Sequence, residues 1–191
     1  MNKIIGILGM QGAIAEHQEI LLQIPHTKTR IVKTAKDLDC IDGLILPGGE
    51  STAIGKLLDY FSLKEIKKKK IISGLPVFGT CAGLILLAKN IENQTNTHLA
   101  TMDITVKRNG YGSQLDSFST NLLIPTIDKN MPIPLVFIRA PYITKTDKDV
   151  QILATLDNKI IAARQKNMLV SSFHPELTCD LRFHQYFLSM I

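Results

Sequence analysis

Cysteine is scarce in this chain: Cys40, Cys81 and Cys179 are the three among 191 residues. An odd number with no Cys-x-x-Cys pair offers no disulfide framework, and it points to a reducing, cytoplasmic compartment. Histidines, cysteines and carboxylates nowhere fall at the spacing of a metal site. No apolar run approaches the ~20 residues that a membrane span requires. The short apolar run after Met1-Asn2-Lys3 meets Gly6 and Gly9 and lacks the small-residue cleavage pattern of a signal peptide. Gly6, Gly9 and Gly12 stand three apart, which is not the Gly-x-Gly-x-x-Gly dinucleotide fingerprint, and no Gly-Lys-Ser/Thr follows Gly48-Gly49, so neither common nucleotide cradle is present. The net charge is only +5. The lysines gather at Lys67-Lys68-Lys69-Lys70 without interleaved aromatics, which disfavours nucleic acid as a partner and reads as the solvated outer face of a helix.

What is present is an ordinary globular composition, 45% hydrophobic and 20% charged, long enough for one domain over residues 1–191 with a sizeable core. Short apolar runs at Lys3 to Leu8, Arg30 to Val32, Leu44 to Leu46 and Pro76 to Phe78 read as buried strands, and helices follow at Ala13 to Ile24, Ser51 to Tyr60, up to Ile72 and from Leu84 to Ala88. Asp37 to Cys40 reads as a helical turn, and Ser51 or Thr52 can cap the helix after the glycine pair. The second half reads as short strands at Met102 to Val106, Leu122 to Ile124, Leu135 to Ile138, Gln151 to Leu156, Ile160 to Ala163 and Leu169 to Phe173, closed by a helix over Asp180 to Met190. Such βαβ alternation implies an α/β three-layer sandwich: a mostly parallel, flavodoxin-like central sheet with helices on both faces and a mixed or antiparallel extension. In sheets of this kind the reactive site lies beyond the carboxyl ends of the strands, where Gly48-Gly49, Cys81 and His174 all fall.

The most informative stretch is Val77-Phe78-Gly79-Thr80-Cys81-Ala82-Gly83-Leu84. Strand, sharp turn and helix in Gly-x-Cys-x-Gly form are the cysteine counterpart of a nucleophile elbow, in which small neighbours permit a strained, exposed nucleophile. The other reading is a structural cysteine in a glycine-bounded turn. A nucleophile needs a proton partner. Of the five histidines, only His174 directly follows a predicted central strand, and Glu176, two residues on across Pro175, can orient it. His17 and His184 lie on predicted helices among charged or amide neighbours and read as solvated. His26 and His98 lie in loops, and Cys179, without a glycine elbow, reads as structural.

These residues resemble the triad-type, class I glutamine amidotransferases, and more narrowly the glutaminase subunits of two-protein pyridoxal 5′-phosphate synthases. The resemblance runs through Gln11-Gly12-Ala13, Glu16-His17, Leu46-Pro47-Gly48-Gly49-Glu50-Ser51-Thr52, the Cys81 elbow, Arg108-Asn109, Phe137-Ile138-Arg139-Ala140-Pro141 and Phe173-His174-Pro175-Glu176-Leu177-Thr178. It implies hydrolysis of L-glutamine to glutamate and ammonia by Cys81, His174 and Glu176, with no cofactor. It also implies an oxyanion site at the Gly49 and Ala82 amides, and a glutamine site made by Gly49, Glu50, Ser51, Arg108, Ile138 and Arg139. The implied partner is a separate (β/α)8-barrel synthase in a large hetero-oligomer, with Gln11 a candidate link between docking and activation. Two stretches depart from the family's usual pattern: Leu8-Gly9-Met10-Gln11 stands for Leu-Ala-Leu-Gln, and Tyr111-Gly112-Ser113-Gln114 for Phe-Gly-Arg-Gln. The readings that compete are a glutaminase serving another synthase, a small cysteine hydrolase or peptidase of related fold, and a silent binding module.

Overall fold

The computed structural model describes residues 2–110 and 117–191; the departure at Tyr111-Gly112-Ser113-Gln114 lies outside them. In chain order the strands are β1 (Lys3–Leu8), β2 (Thr27–Val32), β3 (Gly43–Leu46), β4 (Val77–Thr80), β5 (Ala88–Ile91), β6 (Met102–Lys107), β7 (Ser117–Leu122), β8 (Ile133–Ile138), β9 (Tyr142–Thr146), β10 (Gln151–Leu156), β11 (Lys159–Gln165) and β12 (Met168–Ser171). The helices are α1 (Ile14–Leu22), α2 (Ser51–Tyr60), α3 (Lys64–Ile72), α4 (Ala82–Leu87) and α5 (Arg182–Leu188), with 3-10 turns at Lys36–Cys40 and Pro175–Leu177.

One large sheet runs in the order β2-β1-β3-β4-β12-β11-β9-β6-β5, with β10 added beside β11. The first five strands pair in parallel. From β12 outward the pairing turns antiparallel through β11, β9 and β6, and β5 returns parallel to β6. Strands β7 and β8 form a separate antiparallel pair. The expected mostly parallel sheet with an antiparallel extension is therefore observed.

Alternation along each central strand divides the interior into two cores. Leu44, Leu46, Val77 and Val170 face one side, against Ile54, Leu58 and Leu84. Ile5, Ile7, Ile45, Phe78 and Leu169 face the other, against Leu21, Phe183 and Phe187. Phe78 stacks on Phe183 with ring centroids 5.5 Å apart and lies 5.7 Å from Phe187, which clamps α5 beneath β4. Burying each such ring contributes about 2–3 kcal/mol.

Three local expectations change. The helix after Cys81 stops at Leu87, because Ala88 turns extended and begins β5. The strand expected at Leu122 to Ile124 meets β7 only at Leu122: β7 runs from Ser117 to Leu122, and Leu123 and Ile124 lie outside it. Strand β9 has one fully buried residue, Ile143, among polar neighbours, too weak an apolar signal to mark a strand. Among the described residues no helix is long and apolar enough to cross a membrane.

The lysine run is solvated only in part. Helix α3 buries the stripe Leu63, Lys67, Ile71, spaced by four, and Lys67 is completely buried. Among the described residues its Nζ has no hydrogen-bond partner. Burial pushes the Lys67 pKa down from 10.5 to about 8, with the charge of Asp37 opposing. The unfolded chain holds this proton more tightly than the folded one. The penalty, about 3 kcal/mol, is therefore full below pH 8 and fades as the pH rises toward 10.5. Lys67→Met should raise the urea midpoint at pH 7 and give a much smaller gain at pH 10; an equal gain at both would mean that the charge is not the source.

Candidate active site

At the end of β4 the chain turns so sharply that Cys81 takes φ +47° and ψ −98°, a conformation that side chains other than glycine rarely adopt. Two glycines make room for the turn. A Cβ on Gly79 would lie 2.5 Å from the Gly83 carbonyl carbon, and one on Gly83 would lie 2.1 Å from Leu46 O. The Cys81 N–H donates to Ser171 O at 2.8 Å, fastening the elbow to the end of β12. Helix α4 begins at Ala82, whose N–H is the first of the unpaired donors at that helix start.

Strand β12 delivers the second group. Past Ser171 the chain rises to His174, whose N–H donates to Val136 O at 2.8 Å. Pro175 opens the 3-10 turn that carries Glu176 beneath the imidazole, and His174 Nδ1 donates to Glu176 Oε1 at 2.8 Å. The other ring nitrogen is left for Cys81. Burial opposes a charge on His174, but hydrogen bonds to Cys81 and Glu176 and their negative charges outweigh it and raise the imidazole to about 10. His174 is thus an imidazolium at neutral pH. Burial also opposes ionisation of Glu176, yet the field of His17 and the hydrogen bond and charge of His174 hold its carboxyl below the usual range.

A cavity of about 460 Å³ opens above these groups. Cys81 and His174 form its floor, and Gly49, Glu50, Ser51, Arg108, Ile138 and Arg139 all line it. Glu176 and Ala82 do not line it: they lie behind that surface, 5% and 1% exposed. The Cys81 sulfur lies 4.0 Å from Ile138 O. Two charged members of the expected glutamine site meet each other, with Arg108 Nη2 3.1 Å from Glu50 Oε1. Arg108 also donates to Thr52 Oγ1 at 3.2 Å. The cap of α2 is Glu50 rather than Ser51 or Thr52: its carboxylate accepts from Thr52 N and Ala53 N at 3.0 and 2.7 Å. These amide bonds and Arg108 hold Glu50 ionised against a burial effect of opposite sign. Ser51 Oγ is buried with no hydrogen-bond partner among the described residues.

The glycine loop is clamped on both sides of Gly49. Gly48 O accepts from Ala13 N at 3.0 Å, Gly48 N donates to Thr80 Oγ1 at 3.0 Å, and Glu50 N donates to Gln11 Oε1 at 2.8 Å. A Cβ on Gly48 would reach 2.3 Å from His174 Cε1, so loop and imidazole are in direct contact.

His17 and His184 are not solvated. Both are fully buried, His17 Nδ1 and His184 Nε2 are 3.0 Å apart, and His17 Nε2 lies 3.2 Å from Thr80 Oγ1. The signal was in the spacing: His17 continues the buried stripe of Ile20, Leu21 and Ile24, and His184 sits in the stripe of Phe183, Phe187 and Leu188. Thr80 is a further site residue that no motif marked. Among the described residues no group of histidine, cysteine and carboxylate side chains could hold a metal ion.

Fold and cavity together define an α/β enzyme built on a buried cysteine–histidine–glutamate line. Residues 7–191 match the model of the SNO glutamine amidotransferase family, and the chain belongs to that family. It is 53% identical over 189 residues to the pyridoxal 5′-phosphate synthase subunit PdxT of Ruminiclostridium cellulolyticum, covering 99% of this chain and 100% of the relative. It is 54% identical over 187 residues to the subunit of the same name from Carboxydothermus hydrogenoformans, covering 98% and 97%. A crystal structure described as a glutamine amidotransferase superposes with a TM-score of 0.90 at 39% identity, covering 97% of each chain.

The raised His174 pKa carries a prediction. The folded value exceeds the ordinary 6.5, so the stability that this proton contributes is complete below pH 6.5 and is lost as the pH rises through about 10. Imidazole nitrogen NMR should find His174 protonated at pH 8, and Glu176→Gln should move its titration to lower pH. A midpoint near 6.5 in the native protein would contradict the ion-paired geometry.

Proposed function

We propose that this chain is the glutaminase subunit of a pyridoxal 5′-phosphate synthase, hydrolysing L-glutamine and passing the ammonia to its synthase. One observation carries the chemistry: a strained Cys81 and a His174 with a raised pKa line a cavity that a free amino acid can enter, and the buried carboxylate of Glu176 holds the imidazole from behind. Family membership and full-length likeness to named synthase subunits support the substrate and the partner.

Cys81 Sγ attacks the side-chain amide carbon of glutamine. The carbonyl oxygen becomes an oxyanion and is held by the N–H groups of Gly49 and Ala82; preorganised donors of this kind are worth about 3–4 kcal/mol each. His174 gives its Nε2 proton to the departing nitrogen as the C–N bond breaks, releasing ammonia and leaving a γ-glutamyl thioester on Cys81. Water then attacks the thioester, the now neutral His174 takes its proton, and the C–S bond breaks to release glutamate and free the Cys81 sulfur. Glu176 keeps the imidazole oriented and favours its charged form throughout. Arg108 meets the α-carboxylate of glutamine and Glu50 the α-ammonium, so binding exchanges part of their mutual ion pair for contacts with substrate. Ser51, Ile138 and Arg139 complete the pocket.

Ammonia released to water is protonated and no longer a nucleophile, so the cavity must abut the consumer. A (β/α)8-barrel synthase in a large hetero-oligomer fits that need, and Gln11, bonded to the Glu50 amide beside Gly49, couples docking to the oxyanion loop. The whole chain acts as one amidotransferase domain.

Glutamate release from L-glutamine should be weak for the isolated chain, rise at least several-fold with the synthase added, and vanish in Cys81→Ala. Turnover that survives in Cys81→Ala would remove the nucleophile from the scheme, and equal rates with and without synthase would remove the gating.

A further inference from the structure

We infer that His17 is a positioning residue for the triad, a neutral imidazole whose Nε2–H is aimed between the Thr80 hydroxyl and the rear oxygen of Glu176, with His184 fixing its tautomer from behind. The inference rests on the triad assignment above and deepens it.

The argument is a count of protons. Glu176 Oε1 is taken by His174, and among the described residues Oε2 has no hydrogen-bond partner within ordinary reach. The nitrogen facing it is His17 Nε2 at 3.6 Å, longer than a hydrogen bond but a strong dipole-to-charge contact where both side chains are fully buried. The groups around His17 are Glu176 and His174 from the turn after β12, His184 from α5 and Glu16 on its own helix. Burial dominates and lowers the His17 pKa, although Glu176 pulls the other way, and burial drives His184 down to about 3, so both rings are neutral.

Each neutral ring has one N–H, and two arrangements are open. In the first, His17 carries it on Nδ1 and donates to His184 Nε2. His184 must then carry its own proton on Nδ1, which has no partner among the described residues. That leaves a buried orphan N–H, and it turns the Nε2 lone pair of His17 toward a buried carboxylate. In the second, His184 Nε2–H donates to His17 Nδ1 at 3.0 Å, and His17 Nε2–H points at Thr80 Oγ1, 3.2 Å away, and at Glu176 Oε2. Among the described residues His184 Nδ1, an acceptor, is then left unpaired, and so is the Thr80 hydroxyl proton, which in the first arrangement can go to His17 Nε2. Each arrangement thus leaves one buried donor unpaired, and the carboxylate decides between them: the second faces Glu176 Oε2 at 3.6 Å with an N–H, the first with a lone pair that a buried negative charge repels.

Thr80 extends the reach of this chain. Its Oγ1 also accepts from Gly48 N at 3.0 Å, so one imidazole braces the acid of the triad and, through one hydroxyl, the loop that carries Gly49. Helix α1 holds the same loop a second time, through Ala13 N on Gly48 O.

The test uses the full chain with its synthase, L-glutamine as the probe, and imidazole nitrogen NMR on the chain alone. His17→Phe fills the space without a donor; His17→Gln returns an N–H near the Nε2 position. Loss of a partner that orients a metal-binding side chain costs about 10–100-fold in activity, and a partner that orients the acid of a triad is set against the same scale. We expect His17→Phe to lower kcat by about that factor with KM nearly unchanged, and His17→Gln to recover most of it. Equal kcat in the native chain and His17→Phe overturns the inference, and so does a His17→Gln no better than His17→Phe, which reduces His17 to packing. If His17→Phe fails to fold, the native spectrum decides: a protonated Nε2 and bare Nδ1 on His17 supports the inference, and the reverse overturns it. Cys81→Ala separates the two levels. Turnover that persists there sinks the triad itself, whereas loss of turnover there together with a fully active His17→Phe sinks only the role of His17.

Discussion

The parallel register between β4 and β12 is the constraint on which the site depends. Thr80 pairs with Ser171, and the residues just beyond them are the elbow cysteine and the segment leading to His174. Because side chains alternate along a strand, a slip of one residue would turn Phe78 and Leu169 out of their core as well as displace the chemistry. Apolar burial on two faces therefore enforces the alignment of sulfur and imidazole. The packing of Phe78 on Phe183 and Phe187 is part of that alignment, although those rings lie beneath the cavity.

Charge in the site is organised by depth. The carboxyl of buried Glu176 is held low by the adjoining His17 and by its hydrogen bond to His174, and His174 is raised by the sulfur and the carboxylate that flank it. Glu50, half exposed at the rim, is ionised by amides and Arg108. The deep charges are locked by neighbours that do not leave, whereas the rim pair can be opened by a ligand that supplies both signs. This division suits a small zwitterion that must be recognised at its free end and cut at the other.

Much of this was legible in the chain. The elbow announced itself because only glycines fit at two positions, and His174-Pro175-Glu176 because extended geometry sets alternate residues on one side. The alternating apolar runs gave the parallel half of the sheet. Strand β9 was missed because polar residues surround its one buried side chain, and β5 because Ala88 continues an unbroken apolar run out of α4. His17, His184 and Lys67 were misread for a common reason. Each has a charged or amide side chain beside it (Glu16 and Gln18, Gln185, Lys68) but an apolar residue four positions on (Leu21, Leu188, Ile71), and in a helix the second relation governs burial. The partnership of Glu50 with Arg108 depends on a contact between distant segments that no local pattern encodes.

The contact between Gly48 and the His174 ring bounds how this protein can change. A methyl group at position 48 would need the space that the ring's Cε1 occupies, so the loop cannot acquire a side chain there unless the imidazole moves. Descendants of this sequence can vary the rim and alter what docks against it, but the bare backbone at that position is tied to the ring's place in every one that still cuts an amide. Sequence drift in the loop is thus limited by a neighbour inside the fold, independently of any molecule that enters from outside.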